Sequence, residues 1–130
     1  MPSARTAGHV VMWLLSIGLA FIFLVAGVPK LAGADAHIRH FVVWGYPDWF
    51  RLVVGAIEVT SAVLLLVPRL ASIGGAGIAL IMAGATYTHV VRVPEEAGRA
   101  PFTLTLLACA LLVAYVRRPR RPTATATRRR

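Results

Sequence analysis

The sequence predicts an all-α integral membrane protein, an antiparallel four-helix bundle with a short amphipathic, aromatic-rich outer loop between the first two helices. Two observations predict this fold. Of the 130 residues, 58% are hydrophobic and only five are acidic, which is too little polar surface to cover the core of a soluble domain of this length. Residues 10–29 carry no charge, and twenty apolar residues in a helix cross about 30 Å of hydrocarbon.

Prolines and arginines divide the remaining apolar sequence into three further spans. Pro47 and Asp48 suit the start of a helix, Pro68 ends that run, and Pro101 lies where the last one begins. The first span could instead be a signal peptide cleaved near Gly33, but its length and the spans that follow favour a retained helix. The predicted membrane domain is residues 1–116, with spans at about 10–29, 48–67, 70–91 and 100–116.

The basic residues predict the orientation. Arg5, Arg69 and the seven arginines of residues 117–130 fall on one face of the predicted bundle, against five basic residues on the other. Both termini are therefore expected to be cytoplasmic. The tail at 117–130 is low in complexity, so we expect it to be disordered and attracted to anionic lipids, and we expect no nucleic acid partner.

Aromatic residues are concentrated between the first two spans. Residues 35–44 could form a short amphipathic helix on the outer surface, ended by Gly45. The aromatic side chains suit the headgroup region of a bilayer, and they could also roof a binding cavity. They are Phe41, Trp44, Tyr46, Trp49 and Phe50.

Glu58 is an acid in the middle of the second span. A carboxylate at that depth costs a few kcal/mol at least, about 3 on insertion scales, unless it has a partner. In the predicted topology Lys30, Tyr87 and His89 share its outer half of the bundle, so these four residues form a candidate site. Two interpretations remain open. The site could be a structural hydrogen-bond network, or it could bind a carbonyl-bearing ligand such as a quinone headgroup, with Glu58 passing protons and Tyr87 and His89 donating hydrogen bonds.

The histidines do not predict a metal centre. His37 and His40 are three residues apart beside Asp35, but two histidines and one acid in an outer loop are weak evidence for a ligand set. Cys109 is the single cysteine and lies in an apolar run, which is typical of a buried structural residue. We therefore expect no metal and no disulfide within the chain.

Four stretches resemble the DoxX-like family of small bacterial membrane proteins: "FIFLVAGVPKLAG", "WGYPDW", "GAIE" and "GATYTHVV". The resemblance covers about residues 13–115. It implies a four-helix bundle in the bacterial inner membrane and, because members are often described as oxidoreductase or quinone-linked subunits, a soluble or membrane redox partner and a possible quinone. The positions that match the family pattern are Gly27, Lys30, Gly45, Pro47, Gly55, Glu58 and His89.

Three functions are compatible with these features, and whether the chain is an enzyme stays open. The first is a redox-associated, quinone-linked accessory subunit with its polar site around Glu58. The second is a non-catalytic membrane anchor or scaffold in which the contact between Glu58 and Lys30 is architectural. The third is a small proton-coupled multidrug-type transporter, which would work as a homo-oligomer; such transporters carry their glutamate in the first helix, whereas Glu58 lies in the second span.

Overall fold

Helices make up nearly all of the part of the chain that the computed structural model describes, which is residue 1 and residues 3–120. No β-strand occurs in that part. The fourth helix continues as a π-helical turn, Thr88–Arg92, and a 3₁₀ helix, Pro94–Arg99, leads into the fifth. The predicted disordered tail falls largely on residues 121–130, outside the described residues. The five α-helices are α1 (Ala4–Ala32), α2 (Asp35–Val43), α3 (Asp48–Leu65), α4 (Ala71–Tyr87) and α5 (Ala100–Val116).

Two glycines in the left-handed conformation end the helices on either side of the first connection. Gly33 has φ 75° and donates to the carbonyl of Lys30 at 3.4 Å, which closes α1. Gly45 has φ 77° and follows the last turn of α2. Glycine adopts this conformation without steric cost. The chain can therefore turn sharply twice, and α2 is held against the end of α1 and the start of α3.

Each main contact between the long helices contains a glycine. α1 packs on α3, α3 on α4, and α4 on α5. A Cβ at Gly27 or Gly55 would lie 3.1 Å from the backbone carbonyl of the other glycine, a Cβ at Gly74 would lie 2.6 Å from a backbone oxygen of α3, and one at Gly75 would lie 2.9 Å from a backbone oxygen of α5. Small residues let helix backbones approach in this way in membrane proteins.

Large apolar side chains lie on the outer surface of the helices as well as in the core. Phe23, Leu65 and Ile78 are buried, yet Phe21 and Leu80 are 69% and 66% exposed. A helix that is apolar on all sides suits a membrane environment. Three helical segments are long and apolar enough to cross a bilayer: Ala4–Ala32, Ala71–Arg92 and Pro94–Val116.

Helix α3 is not among these three segments: it has 18 residues, and three of them, Asp48, Arg51 and Glu58, are charged. Arg51 and Glu58 are buried. Buried charges require partners, and the partners of these two side chains include groups at the end of α1.

Candidate ligand-binding site

The crossing of α1 and α3 brings Lys30 beside Glu58. Gly27 and Gly55 lie against each other at the crossing. Lys30 follows Gly27 by three residues, and Glu58 follows Gly55 by the same interval, so each is on the same helix face as its glycine, about one turn away. Close backbone contact at the glycines thus places the ammonium and carboxylate groups within reach of each other.

Lys30 and Glu58 form a buried, two-pronged ion pair. The Nζ of Lys30 donates to Oε1 of Glu58 at 2.9 Å and to Oε2 at 2.7 Å. The side chains are 12% and 3% exposed. Both carboxylate oxygens therefore have a charged donor, which is the condition for keeping an ionised acid away from water.

Arg51 fixes the end of α1 from the side of α3. Its Nη1 donates to the backbone carbonyl of Lys30, which also accepts from Gly33 and is one of the last carbonyls of the helix, where the regular i to i+4 hydrogen bonds stop. Its Nε donates to Oδ1 of Asp48 at 2.9 Å, and Nη2 donates to Oδ2 at 3.2 Å. In the sequence, Arg51 is recognisable only as one of the basic residues of the outer face, and no sequence pattern distinguishes this contact.

A cavity of about 950 Å³ adjoins the ion pair and reaches into the bundle between the long helices. Two glycines of α4 mark a point of contact with α3 and a position on the cavity wall. Gly74 on α4 touches the backbone of α3, whereas a Cβ at Gly84, ten residues further along α4, would meet nothing within 4 Å. Gly84 lines the cavity together with Lys30 and Glu58. The lining is otherwise mostly apolar and includes Ile22, Phe23, Ala26, Val53, Val54, Ile57, Ile81, Met82 and Leu106.

The outer end of the cavity is roofed by aromatic side chains of α2, of the turn that follows it and of the start of α3. Phe41, Trp44, Tyr46 and Phe50 all line it. The ring of Tyr46 lies 4.9 Å from that of Phe50, centroid to centroid. Trp49 is the exception, since it is 63% exposed and is not part of the cavity lining. Phe41, Trp44, Tyr46 and Phe50 therefore roof a cavity, which is one of the two roles that the sequence leaves open for the aromatic residues.

The roof is attached to the end of α4 at two points. The Tyr46 hydroxyl and Thr88 Oγ1 are 2.8 Å apart, within hydrogen-bond distance, and Thr88 also donates to the carbonyl of Gly84 at 2.9 Å. The guanidinium of Arg92 lies 4.7 Å from the centre of the Tyr46 ring, and its Nε donates to the carbonyl of Trp44 at 3.2 Å. Both anchors come from the π-helical turn, a local widening that is common at functional sites.

Trp44 and His89 bring polar atoms to the cavity wall. Their rings meet edge to face with centroids 5.5 Å apart, and His89 is 6% exposed. Within the described residues, the buried atoms Trp44 Nε1 and His89 Nδ1 have no hydrogen-bond partner. His89 Nδ1 is 3.1 Å from Oε2 of Glu96, but the two atoms are not aligned for a hydrogen bond; that oxygen also lies 3.3 Å from Arg99 Nη1. Buried polar atoms normally have a partner, so Trp44 Nε1 is available to a ligand, whereas His89 Nδ1 faces the Glu96 carboxylate.

His37 and His40 belong to the same wall. Their ring centroids are 6.4 Å apart, and His40 stacks on Trp44 at 5.6 Å. Burial, followed by the positive charge of Lys30, lowers the pKa of His37 below its ordinary value. No group of three metal-ligating side chains occurs in the part of the chain that the structure covers.

Three of the four residues of the candidate site line one cavity. They are Lys30, Glu58 and His89. Tyr87 is not among the lining residues and is 53% exposed. Successive helical residues point about 100° apart, and it is the next residue, Thr88, that faces the cavity.

The other positions of the sequence pattern shape the backbone around the cavity. Gly27 and Gly55 make the crossing that brings Lys30 to Glu58. Gly45 supplies the left-handed turn below the aromatic roof, and Pro47 immediately precedes α3. The pattern thus combines the groups that line the cavity with the backbone positions that hold them there.

The fold and this site define a small helical membrane protein with a polar, aromatic-roofed cavity between its helices. The sequence profile of the DoxX-like family matches residues 14–115. The chain belongs to the DoxX-like family. The match includes every residue of the Lys30–Glu58 pair, the glycine crossing and the aromatic roof.

A relative in Bacillus subtilis (strain 168) carries the name "Uncharacterized protein YdgD". It is 29% identical over 87 residues, which is 64% of this chain and 76% of the relative. No solved structure matches this chain.

Proposed function

We propose that this protein binds a quinone, or a similar lipophilic molecule with carbonyl oxygens, in the aromatic-roofed cavity and serves as an accessory subunit of a membrane redox system. The observation that carries the proposal is the cavity itself. It joins mostly apolar walls to the buried Lys30–Glu58 pair, to the His89 ring and to Trp44, whose Nε1 has no hydrogen-bond partner within the described residues. Small-molecule sites characteristically combine apolar walls with a few polar groups, in volumes of about 300–1,000 Å³.

In this proposal all four long helices span the bacterial inner membrane as an antiparallel bundle. α3 can do so because its charged side chains have partners within the chain: Glu58 pairs with Lys30, and Arg51 pairs with the more exposed Asp48. The arginines beyond Val116 favour cytoplasmic termini. The aromatic roof then lies at the outer face, where aromatic side chains are favoured.

The chemistry of the cavity suits a quinone headgroup. The indole N–H of Trp44 is a donor, and His89 can donate or accept, whereas quinone carbonyl oxygens accept. The isoprenoid or alkyl tail of such a ligand would contact the apolar walls. Helix surface residues such as Leu80 both line the cavity and are exposed on the outside of the bundle, which favours entry from the bilayer.

Reduction of a quinone to a quinol consumes two electrons and two protons. His89 and Glu58 are groups that can exchange protons with a ligand. In this proposal the electrons come from a redox partner, soluble or membrane-bound, and the two protons come from water and pass to the bound quinone through Glu58 and His89.

A second candidate function is a membrane anchor without a ligand. It is favoured by the mutual satisfaction of Lys30 and Glu58, since both carboxylate oxygens are already bonded. An anchor needs the pair for packing only. A quinone-binding protein needs an open cavity, whereas a membrane anchor would keep its function with the cavity filled.

The test uses the full-length protein in lipid nanodiscs, titrated with a short-chain ubiquinone or menaquinone analogue and followed by quenching of tryptophan fluorescence. Gly84→Leu places a side chain in the cavity, and a Cβ there meets nothing within 4 Å. Gly18→Leu is the matched control: its Cβ also meets nothing within 4 Å, and it does not line the cavity.

We expect Gly84→Leu to weaken binding by about tenfold or more, equivalent to about 1.4 kcal/mol, while Gly18→Leu binds like the unchanged protein. Glu58→Gln should reduce binding in protein that remains folded. Failure of any quinone analogue to bind, or equal binding by both glycine variants, would contradict the proposal and favour the anchor.

A further inference from the structure

A second cavity lies at the opposite end of the helices, where α1 begins and α5 ends. Its volume is about 510 Å³. Basic side chains dominate its polar lining, and apolar side chains complete it. The lining residues are Arg5, Gly8, His9, Met12, Val116, Arg117 and Arg120.

Within residues 3–120, no acid pairs with an arginine of this cavity. The chain has five acids, and the ion pairs of the described residues use four basic partners at the other end of the fold, Lys30, Arg51, His89 and Arg99. Because like charges repel in close proximity, three converging guanidinium groups favour an external anion. The acids are Asp35, Asp48, Glu58, Glu95 and Glu96.

One guanidinium of the cavity is held in place by the protein. Arg117 Nη1 donates to Ser16 Oγ at 2.9 Å and to the carbonyl of Leu65 at 3.4 Å, and the group lies 4.5 Å from the centre of the Trp13 ring. Trp13 in turn donates to Nε2 of His9 at 3.1 Å. Arg117 donates both hydrogen bonds from Nη1. Its Nε and Nη2 make none within the described residues, so they are available to a ligand in a fixed direction.

We propose that this basic cavity binds the phosphate headgroup of an anionic phospholipid. Guanidinium groups match phosphate geometry through paired hydrogen bonds. The start of α1 adds the partial positive charge of a helix N-terminus. Met12 and Val116 continue the lining as apolar surface, as the acyl chains of a lipid require and a soluble phosphate does not. The site is separate from the aromatic-roofed cavity, and its occupancy does not depend on the proposed quinone.

The test is native mass spectrometry of the full-length protein in detergent, titrated with phosphatidylglycerol, phosphatidylcholine or inorganic phosphate. The double variant Arg5→Gln/Arg120→Gln removes two cavity charges that make no ion pair within the described residues. The control Arg69→Gln/Arg118→Gln removes two charges from the same end of the molecule, and neither residue lines the cavity. The two variants have equal net charge, so diffuse attraction to the lipid is matched.

We expect phosphatidylglycerol to bind more tightly than phosphatidylcholine, and we expect the cavity variant to lose about tenfold more affinity for it than the control variant. Equal losses in the two variants would mean diffuse attraction and would overturn the site. Equal binding of the two lipids would overturn the preference for an anionic headgroup. Inorganic phosphate that displaces the lipid at similar concentration would overturn the lipid assignment.

Discussion

Replacing Lys30 by methionine isolates the role of the buried ion pair. Methionine keeps the length and flexibility of the apolar stem but removes the ammonium group that bonds both oxygens of Glu58 at 2.7 and 2.9 Å. The Glu58 side chain is 3% exposed, so water cannot replace the lost partner without rearrangement. Removing one partner of a buried pair costs about 3–5 kcal/mol. We expect Lys30→Met to lose that much of the free energy of unfolding.

The double variant Lys30→Met/Glu58→Gln separates the charge from the packing. It leaves two neutral side chains of nearly the original shape, and replacing both partners of a buried pair is often close to neutral. We therefore expect the double variant to recover most of the loss. The coupling between the two sites in this cycle should be about 2–4 kcal/mol in magnitude.

The assay is reversible unfolding of the full-length protein in mixed micelles at neutral pH, followed by circular dichroism. Arg99→Met is the control, because it also replaces a basic residue of an ion pair, but the Arg99 side chain is 54% exposed and such pairs contribute about 0–1 kcal/mol. If Lys30→Met costs no more than Arg99→Met, or if the double variant is as unstable as the sum of its parts, the pair is not the buried contact described above.

Three further predictions concern packing, the roof and pH. Gly74→Ala should lower thermal stability, because a Cβ there would lie 2.6 Å from a backbone oxygen of α3 and overpacking costs about 1–3 kcal/mol; Gly18→Ala, with nothing within 4 Å, should not, and equal effects would contradict the close contact of α4 with α3. Tyr46→Phe should cost about 0.5–1.5 kcal/mol by losing its 2.8 Å contact with Thr88, measured by chemical denaturation; an unchanged midpoint would argue against this anchor. His37 has a folded pKa below its unfolded value of 6.5, so its contribution to stability is complete above pH about 6.5 and is lost as the pH falls through the folded pKa; His37→Gln should flatten that part of the pH profile of the melting temperature, and an unchanged profile would contradict the assignment.

The helical fold follows from features that act locally. Apolar runs, the prolines at the starts of α3 and α5, and the charge after Val116 are sufficient to predict helices near their observed positions, with 100–116 matching α5 and 70–91 covering α4 and most of its π-helical turn. The crossing geometry is less accessible from sequence. Gly74 and Gly84 are both glycines of α4, yet a Cβ at Gly74 would meet the backbone of α3 and a Cβ at Gly84 would meet nothing within 4 Å. The two positions point about 80° apart around the helix, and the sequence does not give which direction faces a neighbouring helix.

In the candidate site, too, the sequence predicts some residues and misses others. Lys30 and Glu58 can be paired from sequence because an acid inside a span needs a cation at similar depth. Tyr87 and Thr88 cannot be separated in that way, because their rotation around the helix decides which one faces the cavity. Arg51 is missed because its partner on α1 is a backbone carbonyl, which has no signature in the sequence.

The most direct test of the proposed site is to map which residues a bound quinone contacts. Full-length protein in nanodiscs would be labelled with a photoreactive quinone analogue, digested, and mapped by mass spectrometry, with Gly84→Leu as the cavity-filled comparison. We predict labelling of residues 41–50 and 80–89, which contribute Trp44 and His89 to the cavity, and loss of that labelling in the variant. Labelling spread over the outward apolar faces of α1 and α5, unchanged in the variant, would contradict a quinone site in this cavity.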